Sequence, residues 1–255
     1  MKKFWPKPNK KIDMNQKASD ALLYRMIPHA LGDLFSRYFR LEVAGAENLP
    51  RTGSGIITPN HSGYAGVDAL MITYEIYKGT GRIPRVMTHY FWFLSRLTSN
   101  PMQKMGFVNA TTTNGIYHLN KKNLILLFPE GEYGNFKPTS QAYNLQEFRR
   151  GFVRMAIKTQ SPIIPTVVIG AEETFINLGQ IKLEKWFKNF VLPLPLNLVP
   201  LPARWKIQFL PPIHLPYSPD AADDNDLVHE IASEIREDMQ LAINKAVESR
   251  STIYV

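Results

Sequence analysis

The chain has 255 residues, a 44% hydrophobic share and no cysteine, which fits one large domain with a substantial core. Lacking cysteine, it can form no disulfide, thiol nucleophile or thiolate metal site, and no segment approaches the roughly 20 uninterrupted apolar residues of a spanning helix. A formal charge of +8 points to anionic partners, either nucleic acid or acidic lipid.

Six lysines fall within the first 17 residues, beside Phe4 and Trp5. Near an anionic bilayer each basic residue contributes about 1 kcal/mol; a solvated N-terminus is the plainer alternative. The first seven residues have the basic flank of a signal peptide without the apolar stretch that follows one, so export is not expected. Over residues 19–40, Leu22, Leu23, Met26, Ile27, Leu31, Leu34, Phe35 and Phe39 recur at helical spacing, with Pro28 predicted to kink or split the helix. Arg25, Arg37 and Arg40 flank that stripe, which suits either a helix on the core or one lying in a membrane interface. Residues 1–44 thus read as a basic segment with an amphipathic helix, and 45–255 as the main domain.

After Gly45 and Pro50 the pattern alternates. Strands are predicted at 55–58, 85–88, 123–128, 163–169 and 205–210, with helices at 67–78, 112–120 and 145–159. This alternation predicts an α/β fold with a largely parallel central sheet flanked by helices. Residues 78–82 are glycine-rich but lack phosphate-loop spacing and read as a turn. The stretch 186–205, rich in leucine, proline and aromatics, reads as an irregular loop packed on the core or dipping into lipid headgroups. A last helix begins near 218–219 or 223–224, with Leu227, Ile231, Ile235, Met239 and Ala242 as its apolar stripe.

In parallel sheets, functional residues gather in loops at the carboxyl ends of strands. His61 follows one strand and Glu130 another. A histidine there, followed in a glycine-containing loop by Asp68, has the makings of a general base whose tautomer is fixed by the carboxylate. Were residues 61–68 one helix, the pair would be about 10 Å apart in rise, so a loop is required, and Gly63 and Gly66 permit one. Leu127-Phe128-Pro129-Glu130-Gly131-Glu132 places a carboxylate between proline and glycine, where it can meet a hydroxyl-bearing substrate or simply form a turn.

Asn60-His61 with Asp68, then Phe128-Pro129-Glu130-Gly131, Gly151-Phe152-Val153-Arg154-Met155-Ala156 and Pro162-Ile163-Ile164-Pro165 occur in an order that resembles the glycerolipid acyltransferases. The resemblance covers roughly 45–215. It implies acyl transfer from acyl-CoA or acyl-carrier protein to a lipid hydroxyl at an anionic membrane surface, with no cofactor beyond the thioester co-substrate. It also implies a peripheral place on the cytoplasmic side of the cell membrane, and it assigns His61 as base, Asp68 as its orienter, Glu130 and Gly131 as acceptor contacts, and Ile163 and Pro165 as shapers of the acyl side.

Two departures stand out. Six residues separate His61 from Asp68, where the family usually has four, and residues 105–111 lack the arginine that phosphate-binding members carry. Lys104, Lys137, Arg149, Arg150 and Arg154 are the candidates to replace it, with Arg150 preferred. Ser62 lacks a nucleophile elbow, no histidine pair has metal-ligand spacing, and the basic residues form no nucleic-acid motif. A catalytically silent lipid-binding protein on the same fold is the competing expectation.

Overall fold

The computed structural model describes Tyr24 and residues 26–62, 66–182 and 191–254. The chain enters through helix α1 (Ile27–Tyr38) and strand β1 (Glu42–Ala44). It then alternates through β2 (Gly55–Pro59), α2 (Val67–Thr80), β3 (Arg85–Thr88), α3 (Arg96–Lys104), β4 (Phe107–Asn109), α4 (Thr112–Asn120) and β5 (Leu124–Leu126). A short helix α5 (Gly131–Asn135), helix α6 (Gly151–Thr159), strand β6 (Ile163–Ile169) and the single turn α7 (Ala171–Thr174) follow. A hairpin of β7 (Asn177–Lys182) and β8 (Val191–Pro195), strand β9 (Lys206–Phe209) and the long helix α8 (Asn225–Glu248) come last.

Seven strands make one sheet in the order β1-β9-β6-β2-β5-β3-β4, and every pairing is parallel except β6 with β9. The fold class is the α/β arrangement expected. Strand alternation divides the core in two. Ile56, Ile125, Ile163 and Val167 face α4, α6 and α8, where Leu119, Phe152, Ile235 and Met239 are buried. Ile57, Leu124, Leu126, Ile164 and Val168 point the other way, onto Met71, Ile72 and Ile76 of α2. Pro165 fits a central strand because the β6–β9 ladder is interrupted beside it, between the Ile163–Ile213 bridge and the Thr166–Phe209 pair.

Several elements differ from the sequence pattern, each for a physical reason. Pro28 lies in the first turn of α1, where its missing N–H costs nothing, and the backbone of Met26 before it is already helical at φ −70° and ψ −43°. The helix predicted over 145–159 begins only at Gly151, because the N–H groups of Leu145, Gln146 and Arg149 donate to Gln240, Glu130 and the Pro129 carbonyl instead. Within residues 1–44, read as a basic segment with an amphipathic helix, β1 pairs with β9 and Phe39 stacks on buried Trp205 at 4.7 Å. Part of the 186–205 stretch is β8, the second strand of the hairpin, while 183–190 and the first 23 residues lie outside the described residues. Both predicted starts of the last helix are used: a 3-10 turn at Pro219–Asp223, then α8 with Asp224 as its N-cap.

Candidate active site

Because β2 and β5 are parallel neighbours, the segments leaving their carboxyl ends emerge side by side. Leu127 N–H still donates to the Ile57 carbonyl at 3.1 Å, and three residues later Glu130 Oε1 accepts from the His61 N–H at 2.9 Å. On the other side of β2, the Asn60 side chain completes a two-way bond with β6, accepting from Val168 N–H at 2.7 Å and donating to its carbonyl at 2.9 Å. An amide side chain thus continues the ladder where the backbone has begun to turn away.

His61 Nδ1 lies 2.7 Å from Asp68 Oδ2. The same oxygen accepts from the Ser62 N–H at 3.0 Å, and Oδ1 accepts from the Ala69 N–H at 2.7 Å. Asp68 is fully buried at the second position of α2, an end that favours negative charge. Gly66 caps that helix with a φ of +69°, a backbone turn that suits glycine. The His61 ring stacks on Phe128 with centroids 3.8 Å apart and 19° between planes. Its side chain keeps 15% exposure, and Nε2 bonds to none of the described residues.

The second motif is bonded within the protein. Expected among acceptor contacts, Glu130 is 1% exposed and has both oxygens occupied, Oε1 by His61 N–H and Oε2 by Gln146 N–H at 2.8 Å. Its place in this structure is therefore behind the histidine loop. Gly131 adopts φ +61° and lies under Arg149: a Cβ there would stand 2.9 Å from the guanidinium Nε. Arg149 in turn pairs with Glu132 at 2.8 Å. His89, at the end of β3, feels both charges, while burial is the larger effect and lowers its pKa.

Of the other candidate cations, Arg154 is committed to the Ala222 carbonyl and Asn225, and Lys104 lies over the Tyr24 ring at 5.2 Å. Lys137 is buried against Glu172 at 2.9 Å. Arg150 opens α6, half-buried and outside these pairings. Ile163 and Pro165 are buried in β6, where Pro165 is in register with Thr58 of β2. Among the described residues no cluster of His, Asp and Glu could hold a metal, and no helix is long and apolar enough to cross a membrane.

A family model described as Acyltransferase matches residues 40–169 of the 255, just over half. The chain belongs to that acyltransferase family. Its motif residues His61, Asp68 and Glu130 all fall inside the matched span. A protein of Mycobacterium tuberculosis described as uncharacterised is 33% identical to this acyltransferase-family chain over 233 residues, which is 86% of this chain and 65% of the relative. A human protein titled "DGAT1/2-independent enzyme synthesizing storage lipids" is 26% identical over 206 residues, covering 80% of this chain. The chain spans 65% and 61% of the lengths of these two relatives. Among solved structures, the 1-acyl-sn-glycerophosphate (LPA) acyltransferase PlsC from Thermotoga maritima has a TM-score of 0.58 at 15% identity, covering 88% of this chain and 80% of its own. At that identity the likeness is one of fold.

Sequence reasoning passed over three residues that the site uses. Asn60 enters the sequence reading only as part of a motif, and Lys137 only as a candidate to replace the missing phosphate-binding arginine. Glu172 was not considered, although the carboxyl-end rule applied to β2 and β5 leads to it just beyond β6.

Proposed function

We propose that this chain is an O-acyltransferase that moves a fatty acyl group from acyl-CoA or acyl-carrier protein to a hydroxyl of a lysophospholipid or related glycerolipid, with His61 as general base. The observation that carries the reading is the 2.7 Å contact between His61 Nδ1 and buried Asp68, with Nε2 bonded to none of the described residues. With its Nδ1–H donating to the Asp68 carboxylate, the imidazole presents a lone pair at Nε2. That nitrogen takes the acceptor's hydroxyl proton as the oxygen attacks the thioester carbonyl. The tetrahedral intermediate then expels the thiolate, which recovers the proton from the imidazolium, leaving an ester and a free thiol. Phe128 stacked on the ring and Glu130 on the His61 N–H limit how far the base can wander.

Gly131 and Arg150 are taken as acceptor contacts, and Ile163 and Pro165 as part of the acyl side. Membrane association is supported by α1, which is apolar on two faces. Gly32, Phe35 and Phe39 pack inward, with Gly32 against the Tyr74 ring. Ile27, Leu31, Leu34 and Tyr38 recur outward and are exposed. Tyr38 donates to the Pro200 carbonyl at 2.7 Å, which joins this face to exposed Leu196, Leu198 and Val199. With a charge of +8, such a surface suits an anionic bilayer at the cytoplasmic face.

The test is thiol release from acyl-CoA by the purified protein with lysophosphatidate, lysophosphatidylcholine and monoacylglycerol as acceptors. The His61→Ala variant should lose about 10²–10⁴-fold in rate, the share a general base contributes. Equal thiol release by variant and parent would remove His61 as the base, and none by either with any acceptor would leave a lipid-binding protein without this chemistry.

A further inference from the structure

A buried charge cluster backs the histidine loop. The side chains of Lys137, Glu130 and Glu172 are 3%, 0% and 5% exposed. The Lys137 ammonium lies 2.9 Å from Glu172 Oε1 and 3.7 Å from Glu130 Oε2, and it donates to the Asn144 carbonyl at 3.2 Å. Buried lysines are rare unless paired. The two acids come from different strand ends: Glu130 follows β5 and Glu172 follows β6, the two neighbours of β2. One cation therefore ties together the loops on either side of the strand that delivers His61. Ser62, the residue after the base, lines the same small cavity as Gly134, Lys137 and Glu172.

Gly134 serves the same arrangement. A Cβ there would come within 2.5 Å of Glu130 Cβ and 2.8 Å of its Cδ, so only glycine lets α5 lie over that side chain. Two acids around one lysine leave one negative charge in excess. Burial relieves it by pushing the Glu172 pKa up to about 7, against the downward pull of Lys137 and the Tyr143 N–H. Glu130 is matched by two backbone donors besides the lysine.

We propose that Lys137, held between Glu130 and Glu172, is a positioning residue for His61: it fixes the carboxylate that accepts the His61 N–H and so sets where the imidazole meets its substrate. The proposal rests on His61 being the base and goes beyond it by assigning the group that holds that base in place.

Lys137→Met and the double variant Lys137→Met/Glu172→Gln separate positioning from bulk stability. The single change strands two buried carboxylates and should lower both melting temperature and kcat. The double change returns the cluster to the parent's single excess negative charge, now carried by Glu130 on its two backbone donors, so the melting temperature should recover most of its loss. Its kcat should stay about 10- to 100-fold below the parent, as expected for a displaced catalytic group, with the KM for thioester little changed. NMR of histidine-labelled protein should show the His61 ring resonances displaced in the double variant. Joint recovery of melting temperature and kcat, or His61 ring resonances identical to the parent's, overturns the proposal. If His61→Ala turns over like the parent, the assignment of the base fails instead, and the ring resonances still decide on Lys137.

Discussion

Replacing Asp68 with asparagine changes one atom and removes a charge, and the site leaves the amide no good orientation. The carboxylate serves three groups: Oδ2 meets His61 Nδ1 at 2.7 Å and the Ser62 N–H at 3.0 Å, while Oδ1 meets the Ala69 N–H at 2.7 Å. Asparagine offers one acceptor oxygen and one NH2. With the oxygen toward Ala69, the NH2 faces Ser62 N–H and can satisfy Nδ1 only if the ring proton moves to Nε2, which blocks the base. With the oxygen toward His61, the tautomer is right, but the NH2 collides with the Ala69 N–H and leaves a buried donor unpaired, at about 1–3 kcal/mol. Losing the anion from the first turn of α2 costs roughly another 0.3–1 kcal/mol in either case. Asp68→Asn should therefore lose about 10²–10⁴-fold in kcat, comparable to losing general-base catalysis. Its melting temperature should fall by about 3–16 °C, at roughly 2–4 °C per kcal/mol for this size. Thiol release followed from pH 6 to 9, beside a thermal scan, measures both. A variant that melts lower yet keeps the parent's kcat would falsify the orienting role.

Three further outcomes are expected. Asn60→Leu removes both bonds to Val168 and leaves a buried N–H and C=O unpaired, so urea unfolding should show a loss of about 2–5 kcal/mol; an unchanged midpoint refutes the anchoring role. For Glu172 the folded pKa, about 7, exceeds its ordinary 4.5, so its favourable contribution is complete below about 4.5 and is lost as pH rises through 7. Glutamine copies the neutral acid, so Glu172→Gln should gain stability over the parent between pH 5 and 8, by up to about 3 kcal/mol; parallel urea curves at the two pH values rule this out. Leu34→Glu with Leu198→Glu removes two exposed apolar groups, 59% and 81% accessible, from the surface assigned to the bilayer. At roughly 1.5–3 kcal/mol per leucine buried, sedimentation with anionic vesicles should drop by an order of magnitude or more, and an unaltered bound fraction excludes that surface.

The parts of the fold that were legible are those whose burial is symmetric. β2 and β6 sit in the middle of the sheet and are buried at every position, so their apolar runs stand out. β1 and β4 are its three-residue edges, half exposed, and carry no periodic signal. The helix over 145–150 was misread because its local apolar spacing is real, but tertiary acceptors on Glu130, Pro129 and Gln240 outcompete the helical carbonyls. In the site, His61 and Glu130 were visible from strand ends and from family resemblance. The bonds Glu130 makes were not, since a carboxylate between proline and glycine gives no hint of which backbone N–H groups fold back upon it. Lys137 was harder still. A lysine in a loop reads as solvated, and only the approach of two acids from the neighbours of β2 turns it into a buried link.

The two extra residues between His61 and Asp68 take on a different meaning once the fixings are placed. Asn60 is bonded to β6, His61 N–H to Glu130, and Ser62 N–H to Asp68 itself. From Gly66 onward the chain is again fixed, as the cap of α2. Among the described residues, the two ends of this spacing are thus fixed at 60–62 and at 66–69, the first of them with the help of Glu130. Chain added between two clamped ends lengthens a loop at little entropic cost, since doubling a loop costs only about 0.6 kcal/mol. The longer spacing therefore coexists with the 2.7 Å contact between the pair. The same logic places the sensitivity of this site at its anchors: a substitution at Asn60, Glu130 or Asp68 should move the proposed base.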